Sequence, residues 1–190
     1  AGIVPCRWVN GNEHYGMNPD FLDGVAKLEK WYFAEVPVNT MVWPEKVKIL
    51  GAGLGQAGNL KLGRPRNGPR VARNQPAAQE VRQMAAELPA EVWKRYTIKE
   101  GAKGPISADF AFVRAVRKRR RRPGHEVWVI FRRSVSDPTE IKYYLSNAPA
   151  ETAKTDLVRQ AGLRWPVETA IEEAKSELGM DHYETRTWRG

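Results

Sequence analysis

The chain has 190 residues, 42 % hydrophobic and 28 % charged, the balance of a folded domain rather than a disordered segment. A single cysteine, Cys6, excludes an internal disulfide and a cysteine-based zinc cage, and three scattered histidines (His14, His125, His182) argue against a histidine-only one. No apolar run has the length of a membrane span, and the first residues lack the charged and apolar regions of a secretion signal, so a cytosolic protein without a membrane partner is expected.

Charge is unevenly placed. Lys and Arg number 31 against 22 Asp and Glu, a net +9. Residues 61–122 hold 17 basic and 5 acidic side chains, a balance of +12, which leaves 14 against 17 elsewhere, or −3. A basic middle within a slightly acidic remainder points to a polyanionic partner, and in a cytosol that means nucleic acid. A solvated cationic surface would have the same composition.

In chain order, Ile3 to Val9 is a short apolar run rich in β-branched residues, as in a buried strand, with a turn at Asn10-Gly11-Asn12-Glu13. Asn18-Pro19-Asp20 opens a helix, Asn18 as cap and Pro19 at the first helical position. Phe21, Leu22, Val25 and Leu28 follow at helical spacing, and Trp31 to Val36 is a second strand stopped by Pro37. Two strands joined by a helix form the crossover unit of a parallel sheet, so the fold class is α/β. Two strands are too few for a stable sheet, so another segment must complete it, upstream or elsewhere in the chain.

Residues 44–75 are rich in Gly and Pro. Gly53-Leu54-Gly55-Gln56-Ala57-Gly58 matches the dinucleotide-binding fingerprint, but Gly63 and Pro65 stand where its helix should run, so a glycine-rich loop is the better reading. Pro76 to Leu88 has the pattern of a helix. Phe110–Val116, Glu126–Arg133 and Thr139–Leu145 have that of strands. The first two of these form a hairpin whose long cationic tip is Arg117-Lys118-Arg119-Arg120-Arg121-Arg122-Pro123-Gly124-His125, suited to DNA phosphates. Asp156 to Leu178 is helical with an interruption near Gly162 and Pro166, and its stripe of Val167, Ile171, Ala174 and Leu178 should face the sheet.

Glu168 and Lys175 lie seven apart beside that stripe, and Arg164 precedes Glu168 by four, so all three share one line of the helix. A carboxylate flanked by two cations suits a phosphate and a metal together; a surface salt-bridge ladder would look the same. Arg164, Glu168 and Lys175, within Leu163-Arg164-Trp165-Pro166-Val167-Glu168 and Leu178-Gly179-Met180-Asp181-His182-Tyr183-Glu184, resemble the Tyr-Arg-Glu-Lys signature of bacterial insertion-sequence DDE transposases. Arg132-Arg133-Ser134, Tyr144 to Ala150 and Trp8 to Gly16 resemble the segments around it in the same family.

The resemblance implies a partial RNase H-like core: strand-helix-strand in residues 1–37, a β-rich basic insertion and linker in 38–155, and the C-terminal catalytic helix in 156–190. It implies metal-dependent cleavage and strand transfer at insertion-sequence ends, with three acidic residues holding two Mg²⁺ or Mn²⁺ ions. The last acid corresponds to Glu168, a metal ligand, and the second to position 12, which is Asn12 here. No residue corresponds to the first, the signature tyrosine is replaced by Ala161, and metal binding is expected to be weak or absent. Arg164, Trp165 and Lys175 would contact DNA together with the 117–122 run. The partners implied are transposon ends, target DNA and a second copy in a synaptic complex, at the nucleoid of a bacterial cytoplasm. The alternative is a non-catalytic nucleic-acid-binding remnant of a decayed or truncated transposase.

Overall fold

The computed structural model describes residues 5–44, 47–50, 70–72, 74–101, 104–119 and 122–163. Strand β1 (Trp8–Gly11) is followed by a single-turn helix α1 (Glu13–Gly16) and by α2 (Pro19–Lys27), then β2 (Trp31–Glu35). The Asn18 side chain accepts hydrogen bonds from the Asp20 and Phe21 amides at 3.0 and 3.2 Å, which satisfies amide donors that the helix leaves unpaired. β1 and β2 are parallel, with Trp8 opposite Trp31 and Gly11 opposite Ala34, as the crossover reading expects. The strand ends later than expected: Asn10 and Gly11 are part of it rather than of a turn.

Next come β3 (Met41–Trp43), β4 (Ile49–Leu50), β5 (Arg70–Val71), β6 (Gln79–Glu80) and α3 (Val81–Glu87). Helix α3 is shorter than the Pro76–Leu88 pattern predicts. Gln79 and Glu80 pair with Val42 and Met41 instead, so sheet pairing overrides helical propensity there. β7 (Lys94–Gly101), β8 (Gly104–Arg119), β9 (Arg122–Arg133) and β10 (Ile141–Ser146) follow, and residues 154–163 are helical, running through Gly162 without a break.

The main sheet runs β1-β2-β10-β9-β8-β3-β6, with β7 on the first half of the β8 edge that β3 occupies near its end. β2 is completed on its far side by β10, antiparallel, Leu145 opposite Ala34. The sheet therefore runs on past residue 37 and is continuous from the first strand through the basic hairpin. β1–β2 is its one parallel pair among the described residues, so the chain is α/β with a mixed sheet and few helices.

Alternation along the strands sends side chains to two buried layers. On one face Tyr32, Ala34, Val127, Val129, Phe131 and Leu145 pack under Leu22 and Val25 of α2 and Val81 and Met84 of α3. On the other, Phe33, Phe110, Trp128, Ile130 and Tyr144 pack against Leu157, Val158 and Ala161 of the 154–163 helix. A sheet covered on both faces explains why Val127 to Phe131 is an uninterrupted apolar run. Each fully buried side chain such as Leu22 or Phe110 contributes about 1.5–3 kcal/mol relative to exposure. Among the described residues no helix is long and apolar enough to cross a membrane.

Candidate nucleic-acid interface

The hairpin is present, but its tip is short. β8 and β9 stay paired to Lys118 opposite Pro123 and Arg119 opposite Arg122, so Arg117, Lys118 and Arg119 are strand residues. The register shifts between Val116 and Lys118, a bulge in which Gly124 lies against the Arg117 carbonyl; a Cβ at Gly124 would sit 3.0 Å from that oxygen.

Strand alternation then divides the cationic run. Arg117 and Arg119 point over α2, and Lys118 to the other side. Arg117 is only 7 % exposed, its Nη1 3.6 Å from Asp23 Oδ1. Arg119 Nη2 donates to Asp20 Oδ1 and its Nη1 pairs with Asp23 Oδ2, each at 2.6 Å. The long tip expected over residues 117–122 is thus corrected for Arg117, Lys118 and Arg119, which belong to the strand. Arg117 is inside the fold, and Arg119 is occupied by two carboxylates of α2. Asp20 and Asp23, three apart on one helical face, went unassigned in the sequence; their spacing was the available signal.

Tyr32 of β2 completes this buried group. Burial raises its phenol above the ordinary range, and Arg117 beside it partly offsets that by its charge and a hydrogen bond. Asn147 fixes the start of β2: its Oδ1 accepts from the Tyr32 amide at 2.7 Å and its Nδ2 donates to the Lys30 carbonyl at 3.0 Å. Trp128 Nε1 donates to the Pro149 carbonyl and Arg114 to that of Ala148, so the 147–150 linker is tied to the sheet. Arg133, within the Arg132-Arg133-Ser134 motif, lies over the Trp93 ring at 4.3 Å and has a structural role.

Asn12 follows β1 directly and caps α1, its Oδ1 accepting from the Tyr15 amide at 3.3 Å. The position lies at the carboxyl end of a parallel strand, where open α/β sheets carry ligands. Its amide oxygen is neutral and already engaged, and no cluster of three His, Cys, Asp or Glu exists among the described residues. By themselves the described residues do not fit a two-metal site. Arg164, Trp165, Glu168 and Lys175, with the apolar stripe beside them, lie outside the described residues, as do Arg120, Arg121 and the side chain of Arg122. Ala161, where the resemblance places the signature tyrosine, is buried in the second core layer.

No protein-family model matches the chain, and no curated protein matches it.

Proposed function

We propose that the chain is a DDE-transposase-type protein that binds DNA, with an RNase H-like arrangement in which β1 and β2 belong to the core. The observation that carries this reading is position 12. It directly follows β1 of the parallel pair, where the signature resemblance around Arg164, Glu168 and Lys175 expects the second acidic ligand. The 61–122 segment, with its balance of +12, supplies the electrostatic attraction to phosphate.

Asn12 in place of an acid favours the second reading, a nucleic-acid-binding protein that no longer cleaves. An amide brings no negative charge to offset the combined charge of two divalent ions. An acid at position 12 would cap α1 as well as asparagine does, so Asn12→Asp should fold normally.

The test uses duplex DNA from the regions flanking the chain's own gene, first for binding and then for Mg²⁺- or Mn²⁺-dependent nicking. Salt-sensitive binding is expected, with no nicking by the unmodified chain or by Asn12→Asp. Failure to bind at about 50 mM salt, where phosphate contacts are strongest, would remove the DNA reading altogether. Metal-dependent nicking that disappears in Glu168→Gln would keep the transposase reading and overturn the inactivity assigned to Asn12.

A further inference from the structure

Arg117 is the one charged residue among the described residues that the fold buries. A buried guanidinium is costly unless its donors are used, and it presents five of them in a rigid fork. At 3.6 Å the approach of Asp23 is a Coulombic pairing beyond good hydrogen-bond distance, and the Tyr32 hydroxyl can serve only a single position of the fork. Arg117 also faces a cleft of about 540 Å³ between the end of α2, β2 and the β8–β9 hairpin. Lys27, Arg119 and His125 line the same cleft, with Asp23 and Glu126. Glu126 is engaged by Arg114 at 3.4 Å, and Asp23 is shared between two arginines, so the lining retains an excess of positive charge.

We propose that this cleft binds a phosphate group, with Arg117 as the anchor and Lys27 and His125 at its rim. A planar guanidinium that Asp23 approaches only at 3.6 Å keeps part of its fork for a two-pronged contact with phosphate oxygens. The volume is that of a ligand pocket and exceeds what an inorganic ion needs, while Ala26 and Val127 add apolar wall. The phosphate is therefore one carried by a nucleotide, free or within a polynucleotide. The proposal is independent of the DDE reading, since a free nucleotide would satisfy it in a protein that never touches DNA.

The test is an amide-shift titration of the isotope-labelled whole chain with inorganic phosphate, a 5′-deoxynucleoside monophosphate and a short single-stranded oligonucleotide. Saturable shifts at Tyr32, Arg117, Gly124, His125 and Asn147 are expected, with the nucleotide tighter than inorganic phosphate. Arg117→Lys retains the charge and removes the fork, and should weaken binding about tenfold or more. Lys27→Ala, at an exposed helix end, should weaken it about threefold with the fold intact. Binding by the oligonucleotide alone would assign the phosphate to a polynucleotide backbone, and competition by the mononucleotide would assign it to a free nucleotide. The proposal is overturned if none of the three probes gives saturable shifts at these amides. It is equally overturned if Arg117→Lys binds as the parent does. Should Arg117→Lys fail to fold, unchanged affinity in both Lys27→Ala and His125→Ala overturns it.

Discussion

Arg119 reaches Asp23 across the space between hairpin and helix, with 2.6 Å between its Nη1 and the Asp23 Oδ2. The other oxygen of Asp23 faces the buried Arg117, so one carboxylate holds two cations of the arginine run, whereas among the described residues Asp20 holds Arg119 alone. The two acids should therefore differ in worth. Asp23→Asn leaves Arg117 buried without its counter-charge and should cost about 2–4 kcal/mol. Asp20→Asn, whose side chain is 69 % exposed, should cost less than about 1 kcal/mol. Urea denaturation of the two variants measures both; equal losses would show that the burial of Arg117 carries no energetic consequence.

Under the DNA binding proposed above, the same division of the run predicts which cations contribute. Replacing Lys118, Arg120, Arg121 and Arg122 by serine should lower the log–log salt slope by roughly 0.9 for each phosphate that is no longer neutralised. Arg117→Ser should also lower the denaturation midpoint, because it replaces a buried side chain. Anisotropy of labelled duplex DNA across a salt series reads this, and a slope unchanged by the fourfold replacement would contradict it.

Two glycines should respond in opposite directions to the same substitution. A Cβ at Gly16 would collide with the Glu35 carbonyl oxygen and lie 3.1 Å from a methyl of Val36, where α1 crosses β2. Gly16→Ala should cost about 3 kcal/mol, because backbone rather than a flexible side chain must move. Gly24 lies within α2 with nothing inside 4 Å of the added carbon. Gly24→Ala should stabilise by about 0.5–1 kcal/mol through helix propensity. Thermal melts of the two variants displaced in the same direction would refute the assignment of α1 against β2.

Asp109 stands opposite Arg95 on β7 and opposite Arg133 on β9, at 2.9 and 3.5 Å. Its hydrogen bond from Arg95 is the chief cause holding its carboxyl below the usual range, with Arg133 adding to it. A depressed folded value means that the unfolded chain takes up the proton first. The stabilisation is thus complete above the ordinary carboxylate range of about 4 and is lost as pH falls through the lower folded value. Denaturation midpoints of the parent and Asp109→Asn should differ at neutral pH and converge towards pH ~2. A constant gap across that range would assign the effect to packing instead.

The α2 cap and the β1–β2 pair were legible because their signals are local: Asn18-Pro19, then apolar spacing, then an aromatic strand ended by Pro37. The hairpin strands were legible from their apolar content. β7 was not, since Tyr96 and Ile98 are its only large apolar residues and the remainder of Lys94–Gly101 is polar, as an edge strand allows. β3 has only three residues, and its partner Gln79-Glu80 is too short to show a period. The arginine run was legible as charge but not as structure. Asp20 lies 99 residues from Arg119, and no local pattern records which cations a distant helix occupies.

β2 ends at Glu35, but its antiparallel neighbour β10 begins only at Ile141, and the Asn147 that secures its first residues lies 115 positions beyond Tyr32. During synthesis, then, the β1–α2–β2 unit leaves the ribosome with one edge of β2 bare and the face that carries Phe33 uncovered. At roughly 5–20 residues per second that interval is on the order of 5–20 s. Throughout it the nascent chain offers an open strand edge to any other extended segment nearby. The protein should therefore be more dependent on chaperones, and more prone to inclusion bodies when overproduced, than a domain of its size whose strands pair in sequence order.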